Sequence, residues 1–292
     1  MTLAGTGDRG TVSAAHHERR ISYIVLAHNS EAHIAACVCS LLEPPGADAD
    51  EVVVVDNGST DGTVAILDDL AVRFDSRLAV IRLRDNQGTT APRNHGFRAA
   101  RGRYIGVVDS DVSAPPGVAD TLLEHLVSDA TIGLVAPAMT YRSGELQMSV
   151  DTFPTLPRKL HRYLRLRQIE AAWRHRAARG PTDVDYAISA FWLLPRHVVE
   201  RVGDLDEAIF YAPEDVDYCI RIWAHGWRVV YLPGCSVLHD AQEISRGLPV
   251  KRVALSHAAG LLYLYRKHRF LLTRRRLARR LRANPMARTD ES

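Results

Sequence analysis

Short apolar runs and segments of helical period alternate along the first 140 residues. The stretch "ISYIVLAHN" (21–29) reads as a strand ending at Ala27 to Asn29. "SEAHIAACVCSLLE" follows with helical spacing, capped by Ser30 or Asn29 and closed by "PPGADAD". "EVVVVDNGSTDGT" starts as a β-branched run without alternation, which marks a strand covered on both faces. A Gly-rich turn then leads into the helix "TVAILDDLAVRF". "LAVIRLR" is a third strand, "TTAPRNHGFRAARG" a loop and helix, and "YIGVVDSD" a fourth strand. After the helix "GVADTLLEHLVSD", the run "IGLVAPAM" continues the sheet. This order predicts an α/β domain with a Rossmann-like, mostly parallel central sheet and helices on both faces.

In open sheets of this kind, ligands bind beyond the carboxyl ends of the strands. The first, second and fourth strands end in polar side chains, so Asn29, Asp56, Asp109 and Asp111 are expected along one edge. Two carboxylates one residue apart suit an oxygen-preferring divalent cation, which would in turn neutralise a diphosphate. The alternative use of such a tripeptide is to cap the turn before "APPG".

Composition narrows the field without redirecting it. The chain has 292 residues, 46% hydrophobic and 24% charged, as expected of a globular protein. Cys37, Cys39, Cys219 and Cys235 form no C-x-x-C pair and read as reduced core thiols. Cys235 and His239 stand four apart, but two ligands without two more do not make a zinc site. No stretch is long and apolar enough to span a membrane, and the N-terminus lacks the apolar core of a secretory signal, so a cytoplasmic location is expected.

The net charge of +3 hides an asymmetry. Residues 251–292 carry twelve Lys/Arg against two Asp/Glu, leaving the rest of the chain at −7. Within that tail "RKHRFLLTRRRLARRLR" sets Leu271, Leu272, Leu277 and Leu281 among arginines. The pattern suits a basic amphipathic helix, either at the inner face of a membrane as a peripheral contact or packed on the domain. No recognised nucleic-acid motif accompanies the charge, and nucleic acid is not expected as a partner.

Four ordered blocks, "IVLAHNSEAHIAACVCSLL", "EVVVVDNGSTDGT", "NQGTTAPRNHGFRAARGRYIGVVDSDV" and "FYAPEDVDYCIRIWAHGWRVVYLPGCSVLHD", resemble those of the family 2 glycosyltransferases of GT-A fold. The likeness covers roughly residues 21–240, and the last block is most similar to bacterial rhamnosyltransferases. The resemblance implies an inverting, metal-dependent transfer of a sugar from a nucleoside diphosphate to a hydroxyl of a glycan, glycolipid or small molecule. It implies that Ala27, His28, Asn29 and Glu31 border the nucleotide, and that Asp56 bonds the base. A carboxylate acceptor facing a ring N3 hydrogen suits a thymidine or uridine diphosphate sugar, dTDP-rhamnose among them.

By the same likeness Asn57 stands where many relatives have a second Asp, and Gly88 lets backbone approach the nucleotide or else serves the "DNQG" turn. Arg93 with Asn94 would line the pocket, and Asp109 and Ser110 would lie near the ribose. Asp109, Asp111 and His239 are the implied ligands of Mn²⁺ or Mg²⁺. Asp215 is the implied general base, with Glu214 helping to hold the acceptor. Trp192 and Asp217 are candidates for acceptor binding, Asp217 alternatively supporting the helix or the base. Relatives usually have Gly where Ser189 stands.

The expected layout is a disordered segment 1–19, a GT-A domain 20–245 and a basic helical extension 246–292. The domain divides into a nucleotide-binding half (20–138) and an acceptor-binding half (139–245). The alternatives are a polyprenyl-phosphate glycosyltransferase of the same fold and a non-catalytic sugar-nucleotide-binding protein.

Overall fold

A computed structural model describes residues 19–176, 180–240 and 250–273 with the single positions 275, 277 and 281. The segment 1–18, residues 241–249 and most of the tail beyond 273 lie outside the described residues, and with them most of the expected disordered segment 1–19, whose last residue Arg19 opens the first strand, and much of the expected basic helix.

The elements of the first 110 residues fall close to where the pattern puts them. Strands β1 (Arg19–Ala27), β2 (Glu51–Asn57), β3 (Leu78–Leu83) and β4 (Gly102–Asp109) alternate with helices α1 (Ile34–Leu42), α2 (Thr63–Phe74) and α3 (Thr90–Ala99). The four strands pair in parallel. Every residue of β2 is buried, which explains its unbroken β-branched run. Helix α1 begins later than expected, and the Ser30 carbonyl, rather than its hydroxyl, takes the first N–H groups, those of His33 and Ile34.

The second half is less regular. After β5 (Val112–Ser113) and α4 (Val118–Val127) come β6 (Ile132–Thr140), β7 (Leu146–Gln147), β8 (Val150–Asp151) and the long helix α5 (Leu156–Arg176). Strands β9 (Thr182–Asp183), β10 (Tyr186–Ala187) and β11 (Phe191–Pro195) precede α6 (Arg196–Val202), α7 (Glu214–Ala224), β12 (Arg228–His239) and α8 (Val250–His268). Among the described residues the main sheet runs β3-β2-β1-β4-β11-β6-β12-β5, with β7 beside β6 and β9 beside β12. Strand β11 lies antiparallel between β4 and β6, so the sheet is mixed in its second half.

Because strand side chains alternate between faces, one apolar cluster forms on each side of the sheet. Ile21, Tyr23 and Val25 of β1 pack with α1, α2 and α4, whereas Ile24 faces the side of α3, α6, α7 and α8. Trp192 belongs to this second cluster: it is fully buried, stacks on Tyr218 at 5.9 Å and donates its indole N–H to the Ala187 carbonyl. The expectation that it meets an acceptor sugar is therefore corrected, since a tryptophan in a central strand fills the core. All four cysteines are free, Cys37 and Cys219 buried and Cys39 and Cys235 half-buried.

Helix α8 is built into the domain. A Cβ on Gly260 would stand 2.1 Å from the Ala212 carbonyl oxygen, so glycine lets the helix settle onto the turn before α7. Asp217 holds the far end: its carboxylate accepts from His268 Nε2 and Lys267 Nζ at 2.7 Å each and from Arg221 Nε at 3.0 Å. Burial works against the charged form, yet the His268, Arg221 and Lys267 contacts win and hold its pKa down at about 2. Asp217 is thus removed from the acceptor candidates and is an anchor for α8. Leu277 and Leu281 also pack on the second core, whereas Leu271 and Leu272 face outward, so the four tail leucines do not share one face.

Candidate active site

The register of the parallel strands sets the polar ends side by side. Ala27 pairs with Asp56, and Leu26 with Asp109, so the β2 and β4 carboxylates flank the end of β1. Ala27 itself is buried. The loops after β1 and β2 are stitched together. Asn29, at φ +51°, accepts the Thr60 N–H at its Oδ1, and its own N–H reaches Ser59 Oγ. Glu31 Oε2 takes the Gly62 N–H at 2.7 Å, at the start of α2, where a carboxylate complements the helix dipole. His28 Nδ1 lies 3.0 Å from the Asn57 carbonyl, Ser110 Oγ lies 2.7 Å from Ser30 Oγ, and Asp56 Oδ1 accepts the Ser59 N–H.

Two of the expected nucleotide contacts turn inward. Asn57 is buried; its amide donates to the Gly88 carbonyl and Asn86 Oδ1, and its Oδ1 accepts from Gln87 N–H, so it shapes the 86–88 loop. Gly88, at φ +82°, is approached by the chain's own backbone: a Cβ there would stand 2.0 Å from the Phe210 carbonyl oxygen. Thr89 N–H donates to that same oxygen at 2.7 Å. Gly88→Ala is therefore expected to cost roughly 2 kcal/mol or more, from strain and from displaced backbone, read as a lower denaturation midpoint with an unchanged slope.

The cation candidates converge for a reason visible in the backbone. Strand β5 directly follows Asp111 and pairs antiparallel with the end of β12, setting His239 opposite Val112. The Asp240 N–H then donates to the Asp111 carbonyl at 3.0 Å. As a result Asp109, Asp111 and His239 each offer a ligand atom, all within 4.8 Å of one another. His239 Nε2 lies 3.5 Å from Asp111 Oδ1, while its Nδ1 is 2.7 Å from Gln147 Oε1. Since an amide oxygen only accepts, Nδ1 carries the proton and Nε2 is left to face the carboxylates. Gln147, on the short β7 that leans on β6, has no signal in the sequence beyond its place in that hairpin.

Electrostatics test whether these residues suit a cation. Burial disfavours the His239 imidazolium, but Asp111, Asp109 and Asp240 outweigh it and raise its pKa, so the spot already favours positive charge. Two carboxylates and an imidazole form a donor set that suits Mn²⁺ well and Mg²⁺ adequately.

Beside them sits a buried arginine. Arg93 is 2% exposed; its Nη2 donates to Asp109 Oδ1 at 2.6 Å and its Nη1 to Glu214 Oε1 and Ser189 Oγ at 2.9 Å each. It joins the end of β4 to the first turn of α7 and is a tie between elements where a pocket lining was expected. Asn94 likewise turns to the 205–207 segment, bonding Leu205 and Glu207. Glu214 is buried in the Arg93 pairing and is corrected from an acceptor contact to a positioning group. Ser189 supplies a hydroxyl that glycine would lack.

Asp215 is different. It begins α7 half-buried, its Oδ1 taking the Val216 N–H at 2.7 Å. Burial first, and then the adjacent Glu214 carboxylate, push its acid up to about 7, with Lys159 and Arg93 pulling the other way. A carboxyl group poised near neutral pH is suited to proton transfer.

A family model described as "Glycosyl transferase family 2" matches residues 22–203. Among curated proteins, the chain is 30% identical over 213 residues to the uncharacterized glycosyltransferase EpsJ of Bacillus subtilis, covering 67% of this chain and 61% of EpsJ. It is 26% identical over 235 residues to an N-acetylglucosaminyl-diphospho-decaprenol L-rhamnosyltransferase of Mycobacterium tuberculosis, covering 74% of this chain and 75% of the relative. Among solved structures, the mannosyltransferase PcManGT of Pyrobaculum calidifontis in complex with GDP-Man and Mn²⁺ superposes with a TM-score of 0.57 at 21% identity, over 82% of this chain and 61% of that one. The chain thus spans about three fifths of the length of EpsJ and of the mannosyltransferase. Fold, polar strand ends and family match agree: the chain belongs to the family 2 glycosyltransferases and has the GT-A fold.

Proposed function

We propose that this glycosyltransferase moves a sugar from a pyrimidine nucleoside diphosphate, a dTDP- or UDP-sugar, to an acceptor hydroxyl with inversion at the anomeric carbon. The observation that carries the reading is the meeting of Asp109, Asp111 and His239 beside the Arg93 tie to α7. A divalent cation held by those three side chains would neutralise charge on the leaving diphosphate. Asp56, at the end of β2, reads the base, and the stitched loops around His28 and Asn29 border the ribose. Asp215 takes the proton of the acceptor hydroxyl as its oxygen forms the new bond to the anomeric carbon and the diphosphate departs. Glu214 and Arg93 fix the start of α7 relative to β4, which sets Asp215 against the reacting centre. The acceptor is a glycan, glycolipid or small molecule entering on the side of 139–186.

A panel of nucleotide sugars incubated with the purified chain and Mn²⁺ is expected to yield slow release of nucleoside diphosphate and thermal stabilisation by one donor. Asp111→Ala should erase the Mn²⁺-dependent part of donor binding, a loss of about tenfold or more in affinity if the ligand role is right. Titration of nucleotide that is indifferent to Mn²⁺ in the parent chain would sink the metal assignment.

A further inference from the structure

Helix α5 turns apolar side chains outward where a soluble surface would carry polar ones. Leu156, Leu160 and Leu164, four residues apart and so on one side of the helix, are 50%, 60% and 71% exposed. The stripe continues onto another segment: the Leu156 N–H donates to the Leu271 carbonyl at 2.9 Å, and Leu271 and Leu272 are 42% and 68% exposed. Phe270, just before them, is buried in the second core and pins that segment down.

The apolar face is set in positive charge. Helix α5, kinked at Arg165, has seven Lys/Arg against one Glu in its sequence. Arg158 and Arg162 share the single carboxylate Asp151, which leaves that cluster with net positive charge. Lys159, between the first two leucines, turns the other way: its Nζ lies 3.4 Å from His257 Nε2, and it acts electrostatically on Asp215.

We propose that the leucine face of α5 and Leu271–Leu272 is a docking surface for an anionic lipid bilayer. Leucines enter the boundary between headgroups and acyl chains while the flanking arginines meet lipid phosphates. Charge complementarity decides the occupant: Arg158 and Arg162 lie beside the exposed leucines with one carboxylate between them, and an anionic surface attracts such a face. Lys159, on the opposite side of α5 from the leucines, faces Asp215, so α5 stands between the lipid surface and that carboxylate.

The test uses the full chain and vesicles of phosphatidylcholine alone or mixed in equal parts with phosphatidylglycerol, read by flotation. Binding is expected to the mixed vesicles, weakened by salt, and weak or absent on phosphatidylcholine. Leu160→Ser with Leu164→Ser, and separately Leu271→Ser with Leu272→Ser, should each lower partitioning by roughly tenfold, because exposed leucines lose insertion without loss of core. Val72→Ser, at an exposed leucine-like position on α2, should float as the parent does. Equal flotation of the α5 pair and the parent would overturn the proposal, assigning any binding to the basic tail. A concentration-dependent dimer that the leucine variants abolish, with no vesicle binding by the parent, would also overturn it and make a second copy the occupant.

Discussion

Asp215→Asn is expected to abolish sugar transfer while leaving donor binding in place, with kcat reduced on the order of 10³-fold. Asparagine preserves the shape at the start of α7 but cannot take up the acceptor proton. In the parent chain kcat/KM should rise with pH and level off above about 7, because the raised acid must lose its proton before it can act as a base. Stability runs the opposite way. A carboxyl group with a pKa of 3.8 unfolded and about 7 folded favours the native state below pH 4 and loses that contribution as the pH climbs to 7. The asparagine variant should therefore be no less stable than the parent at neutral pH, separating lost chemistry from lost structure. Turnover retained in this variant, with donor and acceptor both saturating, would overturn the base assignment.

Arg93→Met should destabilise the fold by about 3–5 kcal/mol, as removal of one partner from a buried ion pair does. Glu214 would be left buried, and Asp109 half-buried, beside an apolar side chain, with Ser189 losing its donor as well. Adding Glu214→Met to Arg93→Met should recover part of the loss, since one of the two stranded charges disappears. Urea denaturation of the two single variants and the double gives the coupling directly. Additive losses would mean that the arginine does not tie α7 to β4.

The first half of this fold is legible in its sequence because each strand there is followed by its own helix, and hydrophobic period alone marks both. Helix α2 and strand β4 end within a residue or two of where the pattern places them. The second half is harder to read because its sheet order is not its chain order: β11 slips antiparallel between β4 and β6, and no local spacing announces that insertion. The carboxylates 109 and 111 are readable as a pair on spacing, yet only the β5 to β12 ladder brings in His239. Arg93, Asn57 and Trp192 mark the limit of residue type as a guide. A guanidinium, an amide and an indole look equally fit for a ligand or for the interior, and only the partners each finds inside the fold separate the two uses. Asp217 makes the same point for charge: two residues from Asp215, it is taken up in holding α8.

The place of β12 in the sheet bears on biosynthesis. Among the described residues the last strand, β12, lies inside the sheet, between β6 and β5, and carries His239 at its end. While the ribosome is still making the chain, the β1 to β4 layer can assemble behind it, but β5, which packs on α1, has no strand partner until residue 239 has emerged. A truncated translation product that stops before β12 therefore keeps Asp109 and Asp111 at the sheet edge without His239, and the three side chains come together only once β12 is in place.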